Sequence, residues 1–307
     1  MDIVFMGTPI FCIPILNNLI KEHHIKLIVT QPDQLVGRKK EIVYSEVKNF
    51  ALEHKIDIFQ PEKIRKDYNK IIEINPDIII TCAYGQIISK VLLDFPKYKS
   101  INIHASLLPK LRGGAPIHKA IMNGYDKTGI TIMYMNEKMD EGDILFQEEI
   151  KIDKLDTYKT LHDKLSLLAS KMINPSLKLI KENKFYPLKQ DNNEATYGYN
   201  VTREEEKLDF NKTSLEVYNH IRALNDKPGA YLILDNLNIK IYESEIINYN
   251  GIEKPGTILK DNDFLIKTKD NAIRILKLQL PGKNIITLKD FLNGNGKKYL
   301  IKGNLVE

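Results

Sequence analysis

Short apolar runs alternate with amphipathic stretches through the first half of the chain. "DIVFMG" (2–7), "KLIVTQ" (26–31), "PDIIITCA" (76–83) and "SINIHA" (100–105) are nearly continuous apolar runs bounded by Gly, Pro or polar residues. Runs of this kind read as strands covered on both faces. Residues 10–22 and 45–55 carry the helical period instead. The alternation predicts βαβ units, and therefore a Rossmann-like, open, mostly parallel sheet with helices on both faces. After residue 128 the texture changes. "GITIMYM" and "DILFQEEIKI" predict two strands joined by "NEKMDEG", and residues 156–182 predict a long amphipathic helix.

Residues 183–205 are polar and have the composition of a linker. A short helix is expected at about 212–224. Beyond it, "GAYLIL", "NIKIYESEII", "GTILK", "FLIKTK" and "AIRILKLQL" are short strands separated by Asn, Asp, Gly and Pro. That spacing predicts a smaller antiparallel barrel of the OB-like kind. The division expected is thus 1–182, a linker at 183–205, and 206–307.

A chain of 307 residues can hold two domains, and 43% hydrophobic with 28% charged residues is ordinary for a globular protein. The net charge of +5 suits an anionic partner and equally suits a solvated Lys-rich surface. Cys12 and Cys82 sit in apolar contexts without metal-ligand spacing, so buried free thiols and a cytoplasmic location are expected. No apolar run reaches the roughly 18 residues of a membrane span. "MGTP" after the first strand lacks both GxGxxG and GxxxxGK[ST]. No Ser elbow, HExxH or cysteine nucleophile signature is present, so covalent and zinc chemistry is disfavoured.

The chemistry gathers in "INIHASLLPKLRGGAP" (101–116). Residues i and i+2 of a strand share a face, so Asn102 and His104 point the same way. They lie at the carboxyl end of their strand, where open α/β sheets bind ligands. An Asn amide can donate to a developing oxyanion, and a His can carry a proton near neutral pH. The pair suits attack of an amine on an acyl carbon. An isolated His is as readily an ordinary buried side chain, and His118, on the next helix, is a weaker candidate. The loop "KMDEGDILF" offers Asp140, Glu141 and Asp143 as carboxylates to orient the His.

"NIHASLLPKLRGGAPI" followed by "GITIMYMNEKMDEGDIL" resembles the folate-dependent formyltransferase family. Its SLLPxxRG signature is specific. "FMGTP", "TQPD", "GRKK", "CAYGQII", "ATYGYNVTREEEKLDF", "IRALNDKPGAY", "PGTIL" and "LQLPGK" extend the likeness, in order, over nearly the whole chain. The resemblance implies a catalytic trio of Asn102, His104 and Asp140, rather than Glu141 or Asp143. It implies formyl transfer from 10-formyltetrahydrofolate, without a metal, to the α-amine of methionyl initiator tRNA. The folate is expected along Ala83, Gly85 and Ile87 and along Ser106, Leu107, Leu108 and Pro109. The basic loop with Arg38, Lys39 and Lys40 is expected to meet the tRNA, as is the C-terminal barrel. Asn102 and a protonated His104 would steady the oxyanion while Asp140 organises a proton-relaying water. The loop "PDQLVGRKK" departs from the family pattern: Gln34 replaces an Arg, and the loop is one residue shorter. A monomer is expected. The alternatives are a formyltransferase for a small amine, such as an amino-sugar nucleotide or glycinamide ribonucleotide, and a tRNA-binding module without catalysis.

Overall fold

The structure, a computed structural model, describes residues 1–36 and 41–307. Its contacts divide into two compact units. The first comprises Met1–Pro116, Lys127–Lys151 and His162–Tyr199, and the second Ile117–Asp126, Ile152–Leu161 and Asn200–Glu307.

In the first unit, β1 (Asp2–Gly7) buries Ile3, Val4, Phe5 and Met6 completely. A strand without a polar face needs cover on both sides, and β1 accordingly lies inside the sheet. Its neighbours are β2 (His24–Val29) and, after a two-stranded hairpin of β3 (Gln34–Val36) and β4 (Glu41–Val43) and the short β5 (Ile58–Phe59), β6 (Ile78–Cys82). Next come β7 (Ser100–His104), β8 (Lys127–Tyr134) and β9 (Ile144–Lys151). The sheet order is β5-β2-β1-β6-β7-β8-β9. The first five strands are parallel, and β8 and β9 are antiparallel to their neighbours. The expected open, mostly parallel sheet is present. Its order reverses between β1 and β6, so their carboxyl ends open a crevice.

The helix expected at 10–22 is a 3-10 turn, Ile10–Cys12, followed by an α-helix, Ile13–Leu19, with Pro14 in its first turn. The helix expected at 45–55 runs Glu46–Glu53, started by Ser45, whose hydroxyl accepts the Lys48 amide at 3.0 Å. The long helix expected at 156–182 runs Tyr158–Lys181. The stretch after β2, read as a polar loop, carries the hairpin. Arg38, Lys39 and Lys40 lie outside the described residues. Cys12 and Cys82 are buried free thiols. Cys12 donates to the Cys82 carbonyl at 3.2 Å, and burial pushes its thiol well up.

The second unit holds the helix Ser214–Ala223, closed at its start by a reciprocal Thr213–Glu216 capping box. It packs on an antiparallel sheet of β10 (Ala230–Leu234), β11 (Leu237–Ile247), β12 (Leu265–Lys267), β13 (Ala272–Gln279) and β14 (Ile285–Thr287). The ladder curls closed through irregular segments. Ile258 bridges Ile266, Thr257 bridges Leu305, and Ile233 and Glu307 exchange backbone bonds of 2.7 and 2.9 Å. Phe264, Ile266, Ile273, Ile275 and Ile241 fill the interior without exposed surface. This is the small antiparallel barrel expected from the strand spacing.

Candidate active site

Asn102 and His104 end β7, and β6 runs beside it, with Thr81 opposite Asn102. The Thr81 hydroxyl donates to Asn102 Oδ1 at 2.8 Å. An oxygen already accepting there turns the amide's N–H₂ the other way, and Asn102 Nδ2 lies 3.4 Å from Asp140 Oδ1. The other oxygen of Asp140 accepts the Gly113 amide at 2.8 Å and lies 3.6 Å from His104 Nδ1.

His104 is 6% exposed, and its Nε2 lies 3.0 Å from the Leu111 carbonyl. A carbonyl only accepts, so Nε2 carries the hydrogen. Nδ1 is therefore the nitrogen that gains and loses a proton, and it faces the Asp140 carboxylate across a gap longer than a hydrogen bond. Amide, imidazole and carboxylate thus converge from β7 and the β8–β9 connection on one point beside the sheet crevice.

Holding Asp140 there takes a network outside the trio. Asp140 has φ +54, the left-handed region, which L-residues other than Asn and Asp avoid. Gln190 donates through Nε2 to the carbonyls of Asp140 and Gly142, both at 2.8 Å. Its Oε1 accepts from Arg112 Nε at 3.0 Å and Nη2 at 2.8 Å. Arg112 is 1% exposed, a third bond runs from Nη2 to Asn192 Oδ1 at 2.9 Å, and Glu141 lies 3.5 Å from Nη1. Leu111 is also left-handed, at φ +57, and its amide donates to Thr196 Oγ1 at 2.9 Å. Residues 196–198 pair with 112–115 through backbone bonds. Sequence reasoning missed Thr81, Arg112, Gln190, Asn192 and Thr196. Only Arg112, inside the signature, carried any local signal.

The remaining predicted residues fall in two groups. Ala83, Gly85 and Ile87 follow β6 and are exposed, Ile87 at 73%, while Tyr84 among them and Ile88 just after them are buried. Ala83 and Gly85 both have positive φ, and the turn is fastened by Gln31, whose Nε2 donates to the Tyr84 carbonyl at 2.7 Å. Burial pushes the Tyr84 phenol up to about 12. Ser106 and Leu108, by contrast, are buried. The Leu108 amide donates to Thr131 Oγ1 at 3.2 Å, its carbonyl accepts from Gln147 at 3.0 Å, and Ser106 donates to the Lys110 carbonyl at 2.6 Å. Leu107 and Pro109 remain half-buried at the surface of that loop. His118 stacks on Tyr158, ring centroids 3.9 Å apart, within the second unit.

An open, mostly parallel sheet thus carries an Asn-His-Asp cluster at the carboxyl end of β7, and a small antiparallel barrel follows in the chain. The chain belongs to the formyl transferase family: residues 1–177 match its formyl transferase domain and residues 200–296 its C-terminal domain. It is similar to the methionyl-tRNA formyltransferase of Geobacillus sp. (strain WCH70), 46% identical over 300 residues, covering 96% of this chain and 94% of the relative. That of Geobacillus thermodenitrificans is 44% identical over 312 residues, covering 100% and 98%. Among solved structures the fold is shared with WlaRD, a sugar 3N-formyl transferase determined in the presence of dTDP and 5-N-formyl-THF. The TM-score is 0.67 at 22% identity, over 92% of this chain and 99% of that one. It is shared too with the N-formyltransferase of Helicobacter canadensis in complex with folinic acid and dTDP-3-aminofucose, TM-score 0.69 at 20% identity, over 89% and 97%. Among the described residues no helix is long and apolar enough to cross a membrane.

Proposed function

We propose that this chain transfers a formyl group from 10-formyltetrahydrofolate to the α-amine of methionyl initiator tRNA. The observation that carries the reading is that Asn102 and His104 converge on one carboxylate, lying 3.4 and 3.6 Å from the two oxygens of Asp140. Likeness over nearly the full length to relatives named for this reaction supports the choice of acceptor.

The folate supplies a formyl carbon already activated on nitrogen. The methionyl nitrogen forms a bond to that carbon, the carbonyl electrons move to oxygen, and the bond to the folate nitrogen then breaks. Asn102 Nδ2, its orientation set by Thr81, donates to the oxygen as charge develops. His104 Nδ1 takes the proton released by the attacking amine, with Asp140 stabilising the imidazolium. The same proton is returned to the departing folate nitrogen, directly or through a water held by Asp140. The exposed turn of Ala83, Gly85 and Ile87, and the half-buried Leu107 and Pro109, are the apolar positions assigned to the folate ring. Residues 206–307, and the loop bearing Arg38, Lys39 and Lys40, are assigned to the tRNA.

The test incubates the protein with formyl-folate and methionyl initiator tRNA, hydrolyses the ester, and looks for N-formylmethionine. Parallel reactions offer an amino-sugar nucleotide and glycinamide ribonucleotide. Formylation of either small amine in preference to the tRNA overturns the acceptor.

A further inference from the structure

We propose that Tyr197 and Tyr199 form a stacking platform for the terminal nucleobase of the acceptor RNA. The proposal rests on the acceptor reading above and adds a site to it. Tyr197, Gly198 and Tyr199 alternate as exposed, buried and exposed, so both rings stand on one outward face of an extended segment. The rings lie 8° from parallel with centroids 5.4 Å apart, and they are 45% and 59% exposed. Two large aromatic rings stacked in water keep apolar surface exposed to a further flat ring, Tyr199 more of it than Tyr197.

Their position gives that face a partner. Gly198 exchanges backbone bonds with Arg112 and Ala115, at 2.8 Å each. The tyrosine segment is therefore one strand spacing, about 4.8 Å, from Gly113. Gly113 donates to the catalytic carboxylate of Asp140 at 2.8 Å. Met139, 49% exposed, adds apolar surface there: its methyl lies 3.7 Å from the place a Cβ on Gly113 would occupy. The methionyl carboxyl is esterified to the terminal ribose, so a short linker of methionine and ribose atoms joins the reacting nitrogen to the terminal base. With the amine at Asn102 and His104, an aromatic platform beside Gly113 is where that base can rest. Base-on-aromatic stacking needs no particular edge contacts, which suits an RNA end that is single-stranded.

The experiment uses the full chain and two acceptor-stem hairpins with single-stranded 3′ tails, one ending in adenosine and one in an abasic ribose. Both are measured as inhibitors competing with methionyl-tRNA. Tyr199→Ala should weaken the adenosine hairpin roughly 5- to 150-fold, the range for loss of one stacked base. The same change should leave the abasic hairpin within about twofold, and Tyr199→Phe should match the parent on both. Equal losses on both hairpins, or no loss on either, overturn the platform while leaving the acceptor reading in place. A parent that formylates methionyl-tRNA no better than a small amine overturns the acceptor reading and the platform with it.

Discussion

Gln190 is the residue whose loss should separate stability from catalysis. Its amide accepts two bonds from a buried guanidinium and donates two to the backbone that carries Asp140. In Gln190→Ala all four are lost. Arg112 keeps Asn192 at 2.9 Å and Glu141 at 3.5 Å, so its charge is only partly stranded. A hydrogen bond to a charged group is worth about 1.5–3 kcal/mol and a neutral one about 1 kcal/mol. With partial relief for Arg112, the Ala variant should lose about 3–5 kcal/mol, a large part of the ~5–15 kcal/mol that holds most domains. Gln190→Glu is the discriminating change. Its carboxylate still accepts from Arg112, now as an ion pair, but it sets an oxygen against the carbonyls of Asp140 and Gly142. Asp140 then loses the bonds that hold it at φ +54. The Glu variant should therefore keep most of its stability and lose turnover, by about 10²-fold if Asp140 moves by about 1 Å. Urea unfolding followed by far-ultraviolet circular dichroism reads the first quantity, since the chain has no Trp. Single-turnover formylation reads the second. Parental turnover in Gln190→Glu would refute the reasoning, because it would mean that Asp140 is placed without Gln190.

Three further outcomes are expected. Asn102→Ala and His104→Ala should each lower kcat by roughly 10²–10³ with unfolding midpoints close to the parent, and near-parental turnover in His104→Ala would remove it from the mechanism. Tyr84 is buried with no hydrogen-bond partner for its hydroxyl among the described residues, so Tyr84→Phe should raise stability by about 1 kcal/mol; a lowered melting temperature would count against the orphaned hydroxyl. Burial pushes the His220 imidazole below its ordinary value while Nε2 donates to the Glu205 carbonyl at 2.7 Å. The unfolded chain therefore binds the proton first, so this contribution is full above about pH 6.5 and falls away as the pH drops below it. The urea midpoint of the parent should decline from pH 7 to pH 5 more than that of His220→Gln, and parallel declines would contradict the assignment.

What the sequence discloses depends on how far apart the interacting residues are. β1 and β6 are legible because burial on both faces demands an unbroken apolar run. Asn102 and His104 are legible as a pair because strand geometry alone puts them on one face. Asp140 has no such periodic signal. It stands in a connection with two other acidic residues, and only family likeness selects it. The helices Asn69–Ile74 and Lys90–Asp94 and the strand Ile58–Phe59 are too short for a period to develop, and none was anticipated.

The least legible part is the polar segment 183–199, whose composition reads as a linker and which nonetheless packs into the first unit. Gln190 meets Arg112 across 78 positions of sequence, and no local pattern can announce such a contact. Composition describes how a segment would behave alone, whereas this one is ordered by unmet needs elsewhere. The Arg112 charge must be paired once buried, and the left-handed Leu111 and Asp140 need bonds that compensate their backbone cost. Gln190 serves both Arg112 and Asp140, while Asn192 serves Arg112 and Thr196 serves Leu111, each through a polar side chain. A segment with that task is necessarily polar, and so resembles a linker. The proposed trio draws its side chains from the end of β7 and the β8–β9 connection. Asp140 alone of the three is held directly by this polar stretch, through Gln190.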